Sequence, residues 1–114
     1  MEWDKVDLLT CFEAEPEISE DALSYRYGTE RAGYRLLFEI WPYEDDVHIN
    51  LRGPSQSAPV LDLWIHGCIA VRYFRSGQTE GLAFKYRDIE RQRAVGFQAA
   101  QLLVRPDFSL TVTR

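Results

Sequence analysis

Tyr34-Arg35-Leu36-Leu37-Phe38-Glu39-Ile40-Trp41 is followed, after five residues, by Val47-His48-Ile49-Asn50-Leu51-Arg52. Tyr34, Leu36, Phe38 and Ile40 recur at every second position, with Arg35, Leu37, Glu39 and Trp41 between them. Val47, Ile49 and Leu51 alternate in the same way with His48, Asn50 and Arg52. Successive side chains of a strand point to opposite faces, so a sustained period of two is strand. Pro42 to Asp46 carries turn chemistry, which makes the two runs a hairpin.

The same pattern extends outward. Upstream, Leu23, Tyr25 and Tyr27 alternate with Ser24 and Arg26, and Gly28 to Gly33 reads as a turn. Downstream, Gly53 to Pro59 is a loop, and Val60 to Ile65 is a strand with Leu61, Leu63 and Ile65 on one face. His66-Gly67 is either a two-residue hairpin turn or a bulge in one long strand. Ile69, Val71 and Tyr73 run to a turn at Ser76 to Gly81, and Leu82, Phe84 and Tyr86 follow. Residues 88–104 carry two signals. Ile89, Arg93, Phe97, Ala100 and Val104 would share a helical face, but Gly96 interrupts it. Arg105-Pro106-Asp107 precedes a clear strand at Phe108, Leu110 and Val112, which favours a closing hairpin of residues 97–104 and 108–113.

Only the first residues depart from this pattern. Trp3, Val6, Leu9 and Phe12 at threefold spacing predict an amphipathic helix over residues 2–13, stopped by Pro16 among Glu13, Glu15 and Glu17. The expectation is a mainly β (α+β) fold in one domain spanning residues 1–114. An N-terminal helix precedes an antiparallel meandering sheet of about eight strands, curled into a sandwich or partial barrel. A composition of 46% hydrophobic and 27% charged residues excludes a disordered or fibrous chain.

The net charge is −5, unevenly spread. Up to Asp46 there are 13 acidic and 4 basic residues; from Val47 onward there are 5 acidic and 9 basic. Such a chain either neutralises its halves internally or steers a partner of opposite sign, with head-to-tail self-association as a variant. Arg87, Arg91, Arg93 and Arg105, near Tyr86 and Phe97, are the basic patch a single-stranded nucleic acid would use. The acidic balance argues against nucleic acid as a partner. The N-terminus carries neither a basic region nor an apolar run, and no stretch approaches a membrane span, so the expected compartment is the cytoplasm, with Cys11 and Cys68 as reduced thiols.

Catalytic signatures are missing. The glycines lack nucleotide-cradle spacing, and no H-E-x-x-H, C-x-x-C or G-x-S-x-G occurs. No cofactor is implied, and the expectation is a chain without catalytic function. Two constellations remain as alternatives. His48, Asp62 and His66 could approach one another on adjacent strands as a metal-dependent hydrolase site. Cys68, two residues from His66, could pair with it as a nucleophile, although a buried hydrophobic thiol is the commoner role.

Trp41 and Trp64 stand on strand faces opposite their neighbours' aliphatic rows. A second covered face, with the helix supplying Trp3 and Phe12, is the commoner arrangement; exposed rings would be partner anchors. The overall pattern resembles the small acidic helix-plus-sheet proteins of bacterial genomes, many of which bind another protein. The leading expectation is a protein-binding module that captures a basic partner, such as a toxin-like enzyme to be neutralised. Trp41, Tyr43, Glu44, Asp45, Asp46 and Trp64 are the candidate partner-binding residues, and the run Glu13, Glu15, Glu17, Glu20, Asp21 would extend the acidic surface. A small-ligand carrier, lined by Tyr25, Phe38, Phe84 and Tyr86, is the second expectation.

Overall fold

The computed structural model describes residues 1–54, 59–87 and 97–113. The side chains of residues 97, 98 and 113 lie outside that description. One helix, α1 (Lys5–Phe12), precedes nine strands: β1 (Glu17–Ile18), β2 (Tyr25–Arg31), β3 (Tyr34–Trp41), β4 (Asp46–Arg52), β5 (Leu61–His66), β6 (Cys68–Ser76), β7 (Thr79–Arg87), β8 (Phe97–Arg105) and β9 (Ser109–Thr113). They form two antiparallel meanders, a five-stranded sheet β1-β2-β3-β4-β5 and a four-stranded sheet β6-β7-β8-β9. The mainly β fold with an N-terminal helix is as the alternation predicts, and the sheets do not close into a barrel.

The sheets pack through their alternating apolar rows. Leu36, Phe38, Ile40, Val47 and Ile49 from one sheet bury against Val71, Leu82, Phe84, Ala100 and Leu102 from the other. The Phe38 and Phe84 rings meet across the interior at 5.8 Å. Phe12 completes the aromatic core, stacking on Tyr27 at 5.4 Å and on Phe38 at 5.5 Å.

Three local expectations are corrected. First, the helix begins at Lys5, where Asp4 caps it by accepting a hydrogen bond from the Val6 amide at 2.7 Å. It ends where Glu13, at φ 55°, donates its amide to the Leu9 carbonyl. Residue 2 is extended and bridges Ala70 in parallel. The buried face is Leu8, Cys11 and Phe12, while Val6 is 65% exposed. A strict threefold spacing slips by about 60° per step on a 3.6-residue helix, so Trp3, Val6, Leu9 and Phe12 spiral around the cylinder. Spacings of three and four residues make a face.

Second, β2 runs through Gly28 as far as Arg31. The turn contracts to Ala32 and Gly33, at φ 52° and 81°, the paired positive values of a two-residue hairpin. Third, His66-Gly67 is neither hairpin nor bulge. β5 and β6 belong to different sheets, and Gly67, at φ 71°, is where the chain crosses between them. The Cys68 amide donates to Asp45 O at 2.8 Å, tying this crossing to the β3–β4 hairpin tip. Residues 97–104 form strand, as the closing hairpin predicts: β8 pairs with β7 on one side and β9 on the other. Ile89, Arg91, Arg93 and Gly96 lie outside the described residues.

Charge follows the sheets. Residues 1–67 hold 14 acidic and 5 basic residues, and residues 68–114 hold 4 acidic and 8 basic. Glu2–Arg72 at 2.6 Å and Glu13–Arg105 at 3.0 Å are ion pairs that join the halves.

Candidate functional site

The outer face of the five-stranded sheet follows from its register. Pairing sets Trp41 beside Asp46 and Asp46 beside His66; Glu39 beside His48 and His48 beside Trp64; Leu37 beside Asn50 and Asn50 beside Asp62. These side chains alternate with the buried row Leu36, Phe38, Ile40, Val47 and Ile49, so they share the outward face.

The rings stack there. His48 lies flat against Trp64, with centroids 4.2 Å apart and planes 9° apart. Trp41 stacks on Trp64 at 5.1 Å, and His66 approaches it at 6.1 Å with near-parallel planes. Trp64 remains 46% exposed. The helix sends Leu8, Cys11 and Phe12 into the core shared by the two sheets, so the second cover anticipated from Trp3 and Phe12 does not form: Phe12 is in the core and Trp3 rests on Tyr25 at 5.0 Å.

Each histidine has its own carboxylate. His48 Nε2 hydrogen-bonds with Asp62 Oδ1, which also accepts from Asn50 Nδ2 at 3.3 Å. These two bonds hold the Asp62 carboxyl below its ordinary pKa. His66 Nδ1 lies 2.8 Å from Asp46 Oδ1. Trp64 stands between the two imidazoles along the sheet, so His48, Asp62 and His66 do not converge as the hydrolase alternative requires. No group of three or more metal-ligating side chains occurs among the described residues. The thiol pairing fails by direction: Cys68 is fully buried, whereas the His66 side chain is 61% exposed. Burial pushes the Cys68 thiol up to about 11 and the Cys11 thiol to about 12, away from nucleophilic thiolate.

The hairpin tip divides in two. Tyr43 is 85% exposed and Glu44 is exposed. Asp45, at φ 56°, holds the Met1 amino group at 2.9 Å, which gives it a structural tie. The acidic run is likewise partly engaged. Glu13 meets Arg105, Glu17 meets Arg26 at 3.9 Å, and Asp21 accepts from Ser19 and from the Leu23 amide. On the basic side Arg105 is clamped by Glu13 and Glu80. The ligand-carrier lining is dispersed: Phe38 and Phe84 fill the interior with their own rings, and Tyr25 packs against a tilted Trp3.

Asn50 and Glu39 are the side chains that the reading of residues missed. Asn50, 7% exposed, links Asp62 to Arg52 Nε, and Glu39 accepts from Ser24 Oγ at 2.9 Å and from Arg26. Their signal was a polar side chain recurring on the non-aliphatic rows of adjacent strands.

No family model matches the chain, and no curated protein matches it. A solved structure does, a chain of the "Contact-dependent growth inhibition toxin - immunity protein complex from Klebsiella pneumoniae 342". The two superpose with a TM-score of 0.80 at 18% identity, over 97% of this chain and 93% of that one. The likeness is one of fold.

Proposed function

We propose that this chain is a non-catalytic protein-binding module that neutralises a basic, toxin-like enzyme, as an immunity protein does. The observation that carries this reading is the outer face of β3, β4 and β5, where the exposed Trp64 stacks on the half-buried Trp41 beside Glu44, Asp46 and Asp62. A sheet that buried these rings against a second layer would be a core; left open, they are the tryptophan-rich, acid-flanked surface a basic partner recognises. The fold shared with a chain of a toxin–immunity complex supports it, as does the net acidity of residues 1–67. The partner-binding set is Trp41, Tyr43, Glu44, Asp46 and Trp64. Asp45 acts by holding the tip in shape. The module works in the cytoplasm, where a neutralising protein meets its enzyme.

The test is co-expression, in a bacterial host, of this chain with the product of the gene next to its own, which is expected to be a basic, toxic enzyme. Growth is restored, and the two proteins elute together in a fixed ratio. Continued toxicity, with each protein eluting alone, would contradict the reading.

A further inference from the structure

Four strands end the two sheets: β1 and β5 in one, β6 and β9 in the other. An edge strand offers unpaired N–H and C=O groups to any other strand, and proteins blunt such edges by shortness, charge or cover. Three of the four edges are blunted here. β1 is two residues long and carries the exposed Glu17. β5 carries Asp62 and His66. β6 is covered by residue 2: the Glu2 amide donates to Ile69 O at 2.7 Å, and Glu2 O accepts from the Val71 amide at 2.9 Å. β9, Ser109-Leu110-Thr111-Val112-Thr113, has none of these devices. Its five residues include no charge, glycine or proline, and among the described residues it pairs with β8 alone.

The inner row of β9 is also left bare. Val112 lies opposite Ala100 and Leu110 opposite Leu102, and both of those β8 residues are buried, so Val112 and Leu110 stand on the core-facing side. Leu110 packs against the core, whereas Val112 is 49% exposed. The apolar layer stops at β9 with an aliphatic side chain uncovered. On the outward side Ser109 and Thr111 are exposed, beside Leu103 and Gln101 of β8.

We infer that a second copy of this chain covers the edge, β9 pairing antiparallel with β9 about a two-fold axis at Thr111. The strand is complementary to itself in that register. Leu110 of each copy faces Val112 of the other, which carries the apolar row across the joint, and Thr111 faces Thr111, a hydroxyl pair that stabilises antiparallel strands. Charge selects a copy over the basic partner proposed above. Residues 68–114 hold 4 acidic and 8 basic residues, so a basic protein is repelled from this sheet. The strands that meet are neutral on their outward row, Ala99, Gln101, Leu103, Ser109 and Thr111; Lys85 and Arg87 on that face belong to β7. With strands about 4.8 Å apart, the β7 rows of two paired copies lie about 24 Å from each other, beyond the screening length of about 10 Å at 0.1 M salt. One strand pair buries less than the roughly 1,200 Å² of a stable interface, so the dimer is weak, with a dissociation constant on the order of 10–100 µM. Trp64 lies on the other sheet and stays free in the dimer.

The experiment is sedimentation velocity on the whole chain from about 5 to 500 µM, with circular dichroism to confirm that each variant is folded. The mean mass rises from the 13.3 kDa of one chain towards twice that value. Thr111→Lys sets two ammonium groups against each other at the axis and weakens association about tenfold or more. Thr111→Glu does the same. An equimolar mixture of the two variants associates again, because each lysine then faces a glutamate. Gln101→Lys, exposed on the same face one strand further from the joint, changes the association less than threefold. An unaltered chain that stays monomeric at 500 µM, a dimer that survives Thr111→Lys, or a mixture that stays monomeric would overturn the inference. None of these results depends on the toxin-like partner, so they are separate from a failed growth rescue.

Discussion

Individual side chains in this protein are constrained by what surrounds their polar atoms. The Tyr27 residue is 1% exposed, and its hydroxyl is buried with no hydrogen-bond partner among the described residues. Burial raises its pKa to about 12, with Glu15 and Tyr25 adding to the effect. A buried hydroxyl without a partner costs its desolvation, about 1–3 kcal/mol. Tyr27→Phe keeps the stacking on Phe12 and removes that cost, so its urea midpoint stays level or rises; a clear fall would mean that the hydroxyl is satisfied. The cysteines respond to the same physics with opposite consequence for chemistry. A thiol at about 11 rather than 9.0 has about a hundredfold less thiolate at neutral pH. Cys11 and Cys68 should resist iodoacetamide in the folded protein and react fully in denaturant. Rapid labelling of either under native conditions would contradict the burial described.

At the scale of elements, α1 makes the sharpest distinction. Leu8 is fully buried beside Cys11 and Phe12, whereas Val6, two residues earlier and a member of the threefold spacing, is 65% exposed. Leu8→Ala should cost about 2–5 kcal/mol of unfolding free energy and Val6→Ala under about 0.5 kcal/mol, read from denaturant midpoints. Equal effects would restore the threefold face. The strands were legible because alternation is a property of a few adjacent residues. Leu36, Phe38 and Ile40 announce their buried face without reference to anything distant. The crossing at Gly67 was not legible, since nothing near His66 or Cys68 says which sheet the next strand joins. The turn at Ala32-Gly33 was overextended because Gly28 lies inside β2, where a residue lacking a side chain looks like punctuation.

The candidate site shows the same division between near and far information. That Trp41 and Trp64 face away from their aliphatic neighbours is local, and the structure places both outward. That His48 rests on Trp64, while His66 and Asp46 form a separate pair, depends on the register between β4 and β5. Reading residues in order brought His48, Asp62 and His66 together as one cluster. The register inserts an indole between the imidazoles and leaves two independent pairs.

Across the whole molecule, two meanders share one aromatic core, and their charges differ in sign. Ion pairs such as Glu13–Arg105 join the halves, yet Trp64 and its carboxylates face outward on the acidic side. A partner steered by that field should bind less tightly as salt rises from 50 to 500 mM, because exposed charges are screened within about 10 Å at 0.1 M. Affinity that stays flat over that range would remove the electrostatic part of the account. On the proposed function, Trp41 of β3 and Trp64 of β5 are the rings a partner grips. Calorimetric titration of the toxin domain with the Trp41→Ala, Trp64→Ala double variant, set beside the unaltered chain, tests it most directly. A loss of about a hundredfold or more in affinity is expected, with the variant's strand content retained in circular dichroism. Undiminished affinity in a folded double variant would contradict it.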